Sequence, residues 1–82
     1  MSVDDAILAL AAAGGPASSI TPEDAARAID GEHWHRHLAE VRAAAARLAK
    51  EGRIVILRKG KPVDPDAFKG VIRLRIVDGA KS

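Results

Sequence analysis

The sequence contains no cysteine, no tyrosine, no asparagine and no glutamine. Without cysteine, the chain can form no disulfide, no thiolate metal site and no cysteine nucleophile. Trp34 and Phe68 are its only aromatic residues, so a hydrophobic core must be built from aliphatic side chains and alanine. Asparagine and glutamine are the usual bidentate readers of adenine, so a DNA-reading surface on this chain would be biased toward G·C pairs.

Long hydrophobic runs are also missing from the sequence. No apolar stretch approaches the roughly 20 residues that span a membrane, and no basic region followed by an apolar run opens the chain. We therefore expect a cytoplasmic protein with no membrane contact. With 82 residues, of which 48% are hydrophobic and 29% charged, we expect one globular domain over residues 1–82.

The net charge of +2 conceals an uneven distribution along the chain. Residues 1–32 contain one basic and six acidic residues, a net of −5, whereas residues 33–82 contain twelve basic and five acidic residues, a net of +7. A basic half indicates an anionic partner such as a nucleic acid. Surplus surface arginine in an Arg- and Ala-rich chain is the alternative explanation, and charge alone does not separate the two.

Two short helices are predicted in the first part of the chain. The first covers about residues 3–13, with Ser2 as its N-cap. The second covers about residues 22–29, because Thr21 is a good N-cap residue and is followed by a proline and two acids. Ile20, just before that cap, is expected either to pack onto the helix or to pair as a one-residue strand.

A longer third helix is predicted over about residues 33–50, after a short turn that contains Gly31. Its hydrophobic side chains recur at spacings of four and three, which places them on one face. The residues of this inner face are Trp34, Leu38, Val41, Ala45 and Leu48. The residues of the opposite face are basic or small: Arg36, Ala39, Ala43, Arg47 and Lys50.

From about residue 53 the hydrophobic period changes to two, which is typical of strands. We predict a two-stranded antiparallel hairpin over about residues 53–77, with residues 59–70 forming a long loop that two prolines stiffen. Arg73 and Arg75 share one strand face, with Arg58 expected across from them. Three helices followed by such a hairpin, the wing, make an α+β fold of the winged helix-turn-helix type.

The sequence also resembles a small bacterial family of uncharacterised winged-helix domains. The resemblance is carried by Trp34-x-Arg36, Val41-Arg42 and Leu48 on the third helix, by Gly60-x-Pro62-Val63-Asp64-Pro65 in the wing, and by Gly70-x-Ile72-Arg73-Leu74-Arg75 in the last strand. Thr21 stands where many relatives have cysteine. The winged-helix class covers the chain from Val3 to Val77. The resemblance implies this fold and a link to nucleic acids, and it implies no established activity.

We interpret the third helix as a recognition helix whose exposed side chains enter the major groove of duplex DNA. Arg36 would contact guanine O6 and N7, and Glu40 would accept from cytosine N4. Lysines of the wing would contact phosphates or the minor groove, and phosphates would supply most of the affinity. The candidate DNA-binding residues are His35, Arg36, Glu40, Arg42, Arg47, Lys50, Lys59, Lys61, Lys69, Arg73 and Arg75. Winged-helix regulators often bind as dimers on two half-sites, so a homodimer is a candidate assembly.

A protein-interaction module without DNA binding is the alternative function. Ala39, Ala43 and Ala46 would then form a flat surface that docks against another protein or a second copy of the chain. Winged helices serve both purposes, so the fold alone does not decide between them. Salt-insensitive self-association without DNA binding would favour this alternative.

The three histidines raise the question of a metal site. His33 and His37 lie four residues apart on the predicted helix and share a flank with Glu40, whereas His35 faces the other way. Two histidines and one carboxylate with no fourth ligand make a weak site. We predict no metal and no cofactor.

Catalytic signatures are absent from the sequence. It contains no nucleophile elbow and no glycine-rich phosphate loop, and Ser18 and Ser19 have no histidine near them in sequence. A domain of this size also has little volume for a closed pocket. We therefore predict that the chain is not an enzyme and has no small-molecule substrate.

Overall fold

A computed structural model describes residues 2–77; the other residues of the predicted 1–82 domain lie outside the described part. The elements follow in the order α1 (Val3–Gly14), α2 (Pro22–Ile29), a 3-10 helix (Trp34–His37), α3 (Leu38–Lys50), β1 (Ile54–Arg58), β2 (Lys61–Pro62) and β3 (Arg73–Ile76). The strands form one antiparallel sheet in the order β2-β1-β3. The predicted α+β class is confirmed, and the arrangement is compatible with a winged helix.

Both predicted helix caps are present. The Ser2 hydroxyl accepts a hydrogen bond from the Asp5 N–H at 3.1 Å. At the start of α2, the Thr21 hydroxyl accepts from the Asp24 N–H at 3.1 Å, and the Asp24 carboxylate accepts from the Thr21 N–H at 3.0 Å. This reciprocal capping box satisfies two backbone donors that a helix start otherwise leaves unpaired.

The predicted third helix does not begin as an α-helix. The turn before it is built on Asp30, whose carboxylate accepts hydrogen bonds from the N–H groups of Glu32 and His33 at 3.1 and 3.0 Å. The chain then continues as a 3-10 helix over Trp34–His37 and becomes α-helical only at Leu38. The predicted α-helical start at about residue 33 is therefore wrong, but Trp34 on the 3-10 helix still packs against the core and is half-buried.

The sheet contains one strand more than predicted. β1 pairs with β3 from Ile54↔Ile76 to Leu57↔Arg73, and it also pairs with β2 through Leu57↔Pro62 and Arg58↔Lys61. Between β1 and β2 the chain reverses through Lys59 and Gly60, with φ values of 53° and 79°. Two successive positive φ values form the kind of tight turn that matches strand twist. The predicted long loop is therefore a tight turn, a short strand and a remaining loop over residues 63–72.

Ile20 adds a further rung to the sheet. It exchanges two backbone hydrogen bonds with Leu74, of 2.8 and 2.7 Å, on the side of β3 away from β1. Of the two roles expected for Ile20, the structure has the one-residue strand. This bridge fastens the segment before α2 to the last strand.

The core is aliphatic, as the scarcity of aromatic residues predicted. On α3, Val41, Ala44, Ala45 and Leu48 are buried, whereas Trp34 before it is half-buried. The remaining buried hydrophobic residues are Ala6, Ile7, Ala11, Ala25, Ala26, Ile54, Ile56, Leu57, Ile72 and Leu74. Within residues 2–77 no polar or charged residue is buried, so every candidate functional side chain lies at the surface.

Candidate nucleic-acid interface

The outer face of α3 is exposed along its length. Ala39 in its first turn and Ala43 in its middle are exposed, as are Arg36 on the 3-10 helix before it and Lys50 at its end. Ala46, predicted to belong to the same flat surface, is half-buried. The small side chains leave this face of the helix nearly smooth, so its chemistry depends on the charged groups at its margins.

Arg47, at one margin, forms a two-point ion pair with Asp4 of α1. Its two terminal nitrogens each donate to a different carboxylate oxygen at 2.6 Å. The hydrogen bonds from the guanidinium lower the pKa of Asp4 below its usual value, and they raise that of Arg47. Arg47 therefore ties α3 to α1, and the charge expected to face DNA is largely balanced by a carboxylate.

The opposite margin of α3 holds the loop that follows β2. Arg42 donates through both terminal nitrogens to the Gly70 carbonyl at 3.4 Å, and its guanidinium lies 5.1 Å from the centre of the Phe68 ring. Lys50 forms an ion pair with Asp66 in the same loop. These contacts place the loop along the flank of α3, and they occupy two more of the candidate DNA-binding side chains.

Arg73 has a structural contact as well. Its Nε donates to the Ser19 hydroxyl at 2.5 Å, and a terminal nitrogen donates to the Ser19 carbonyl at 2.9 Å. It therefore fastens β3 to the segment before α2, next to the Ile20 bridge. Arg75 lies on the same strand face, opposite Val55.

Glu40 and the histidines form a cluster at the start of α3. The Glu40 carboxylate lies 2.5 Å from Nδ1 of His37, and Nε2 of His37 lies 3.7 Å from the Asp30 carboxylate. The hydrogen bond to Glu40, helped by Asp30, raises the pKa of His37 above its usual value. Glu40 is thus engaged with His37 rather than free to read cytosine.

Of the other two histidines, His33 approaches the same Asp30 oxygen as His37, whereas His35 contacts Trp34 instead. The His35 ring stacks on Trp34, with ring centres 3.6 Å apart, and the Arg27 guanidinium lies 4.5 Å from the centre of the Trp34 ring. His33 lies 3.7 Å from Asp30. Within residues 2–77, no group of three or more His, Cys, Asp or Glu side chains is arranged to hold a metal ion.

The remaining candidates have no hydrogen-bonding or ion-pair partner among the described residues. Of the predicted set, these are Arg36, Lys59, Lys61, Lys69 and Arg75. Lys59 and Lys61 flank Gly60 at the tight turn, and Lys69 lies in the loop held against α3. These side chains are the ones available to an anionic partner.

The predicted position of Arg58 is wrong. It was expected across from Arg73 and Arg75, but those residues are paired with Leu57 and Val55. Arg58 instead lies beside Gly70: a Cβ added at Gly70 would stand 3.9 Å from Nε of Arg58. Since Arg42 contacts the same glycine, two guanidinium groups meet where α3, β1 and the loop come together. The sequence indicated this contact only through the position of Arg58 at the end of β1, where the strand meets the loop.

Comparison with known proteins identifies the family of this chain. No helix among residues 2–77 is both long and apolar enough to cross a membrane. A search of curated proteins finds none that matches the chain. The family described as "Protein of unknown function (DUF3253)" matches residues 1–77, nearly the whole sequence. The chain belongs to this DUF3253 family.

Proposed function

We propose that this chain is a winged-helix protein that binds double-stranded DNA through the outer face of α3 and the hairpin, with most of its affinity coming from phosphates. The observation that supports this best is a set of basic side chains without partners among residues 2–77, at the start of the third helix and on the hairpin. These are Arg36, then Arg58, Lys59 and Lys61 at the tight turn, and Lys69 in the loop held against α3. In a winged-helix protein these two elements face the duplex together.

The connectivity supports the winged-helix assignment. The chain has a helix, a one-residue strand at Ile20, then α2 and the 3-10 helix that continues into α3, and last a hairpin whose second long strand pairs with Ile20. This is the order of elements in that class. In this interpretation, α3 is the recognition helix, and residues 59–72 are the part of the wing between its two long strands. The contacts of Arg42 and Lys50 with the wing fix its position relative to the helix.

Little sequence specificity is expected from this surface. Arg47 and Glu40, which would read bases in the major groove, are already engaged with Asp4 and His37. The centre of the helix face carries alanines, which have no hydrogen-bonding side chain. Arg36 is then the principal candidate for a guanine contact, and the lysines contact phosphates whatever the sequence.

The test is fluorescence anisotropy with a labelled random-sequence duplex over a range of salt concentrations. Five phosphate contacts predict a slope of log affinity against log salt of about −4 to −5. If all ten arginine, lysine and histidine candidates predicted from the sequence contacted phosphates, the slope would be about −9. A chain that does not bind duplex DNA at low salt would refute the proposal.

Variants locate the surface. Arg36→Ala should weaken binding, and Lys59→Ala combined with Lys61→Ala should reduce the salt slope by about two. Arg53→Ala is the matched control, because Arg53 is exposed and lies near Asp4 rather than on the proposed surface. If Arg53→Ala loses as much affinity as Arg36→Ala, and the double lysine variant loses about twice as much, the binding is a response to overall charge, and the assignment of the surface is wrong.

A second candidate is a protein-interaction module, and the paired charges on α3 favour it. Because Arg47 and Lys50 are balanced by Asp4 and Asp66, the exposed Ala39–Ala43 surface is less cationic than the sequence indicates. Small side chains allow another helix to approach closely. Salt-insensitive dimerisation, abolished by Ala43→Glu and seen by light scattering on a size-exclusion column, would support this function instead of DNA binding.

A further inference from the structure

A groove opens at the end of the sheet because its strands separate there. The pairing of β1 with β3 stops at Leu57↔Arg73, whereas β1 continues to pair with β2 as far as Arg58↔Lys61. The chain that leads into β3 therefore diverges from the tight turn and leaves a gap of about 400 Å³. The residues that line it are Leu57, Arg58, Lys59, Gly60, Val71 and Arg73.

One wall of the groove is hydrophobic and uncovered. Val71 is 85% exposed, and no other large hydrophobic side chain within residues 2–77 is exposed in this way. Leu57, which also lines the groove, belongs to the buried set. An aliphatic group placed between these two side chains would remove apolar surface from water, which is the main favourable contribution to most protein association.

The other wall is cationic. Arg58 and Lys59 have no partner among residues 2–77, and no acidic side chain lines the groove. The two acidic residues of the loop over residues 63–72 make other contacts. Asp66 pairs with Lys50, and the Asp64 carboxylate accepts the Asp66 N–H at 2.9 Å. The groove thus combines one cationic wall with one hydrophobic wall.

We propose that this groove binds a short segment of a partner protein that combines acidic residues with an aliphatic side chain. The carboxylates would pair with Arg58 and Lys59, and the aliphatic group would pack between Val71 and Leu57. A DNA backbone would match the two cations, but phosphate and deoxyribose carry no side chain that could fill the apolar part. Gly60 leaves the approach open, because a Cβ added there would meet nothing within 4 Å.

The experiment uses three acetylated hexapeptides as probes, titrated into the isotope-labelled chain and followed by amide NMR shifts. One alternates aspartate with leucine, one aspartate with serine, and one lysine with leucine. The first should shift the amides of Lys59, Gly60 and Val71 in a saturable way. The other two should bind at least about tenfold more weakly, because each lacks one of the two contacts.

Variants separate the groove from general charge attraction. Val71→Ser should weaken binding of the aspartate–leucine peptide by about fivefold to tenfold, and Lys59→Ser, which removes one exposed ion pair, by about twofold to fivefold. Arg53→Ser removes one positive charge from an exposed side chain that does not line the groove and should leave the affinity unchanged. Because Val71 is exposed, its replacement does not disturb the core.

Three results would overturn the proposal. The first is equal binding of the aspartate–serine peptide, and the second is an unchanged affinity in Val71→Ser. The third is that Val71→Ser weakens binding of a random-sequence duplex and not of the peptide, which would assign the groove to nucleic acid. A chain that binds the peptide but no DNA would keep this proposal and refute the proposed function.

Discussion

Replacing Leu48 by alanine should destabilise the domain severely. Leu48 is fully buried on α3, the helix that packs against α1, α2 and β1. Truncating a buried leucine costs about 2–5 kcal/mol, because the surrounding side chains only partly fill the cavity. We expect about 3 kcal/mol here, out of a total stability of roughly 4–12 kcal/mol for a domain of this size.

That loss translates into a large change in melting temperature. A domain of 82 residues has an unfolding entropy of about 0.17 kcal/mol per kelvin, so 3 kcal/mol lowers Tm by about 17 °C. Thermal unfolding followed by far-UV circular dichroism measures it. Leu48→Met, which conserves volume, is the control and should cost less than about 1.5 kcal/mol. A fall in Tm of less than about 5 °C for the alanine variant would refute the packing described for α3.

Two further predictions concern the tight turn and the histidine cluster. Gly60→Ala should lower the free energy of unfolding in urea by about 1 kcal/mol, because φ is 79° at Gly60. Gly31→Ala is the control, because Gly31 has no positive φ and should not show this strain. Equal losses of unfolding free energy in the two variants would contradict the prediction. His37 should titrate above 6.5 in NMR, because its pKa is raised chiefly by Glu40. The stability that this contact supplies is therefore complete below pH 6.5 and is lost as the pH rises through the higher pKa of the folded state. Glu40→Gln should reduce this trend and leave the smaller contribution of Asp30.

Local signals in the sequence predicted most of the fold. Thr21 and the proline after it mark the start of α2 through contacts within four residues, and such contacts can be read from the sequence directly. The alternation of hydrophobic residues likewise predicted β1 and β3. The short strand β2 was missed because its turn uses Lys59 before glycine, where asparagine or aspartate is the usual signal.

The candidate site was harder to predict, because its charges are paired over long sequence distances. The periodicity of α3 shows that Arg47 is exposed, but not that Asp4, 43 residues earlier, balances its charge. Arg73 and Ser19 are 54 residues apart. Helical periodicity assigns a face to each side chain, and only the tertiary fold decides which of those side chains keeps a free charge.

The bridge between Ile20 and Leu74 has a consequence for synthesis of the protein on the ribosome. The bridge joins the segment between α1 and α2 to the last strand, so the chain emerging from the exit tunnel cannot complete this sheet until β3 has left it. Until then, β1 lacks its longer partner, and the hydrophobic side chains of the helices have no sheet to cover them. The nascent helices therefore depend on their own marginal packing until β3 has emerged.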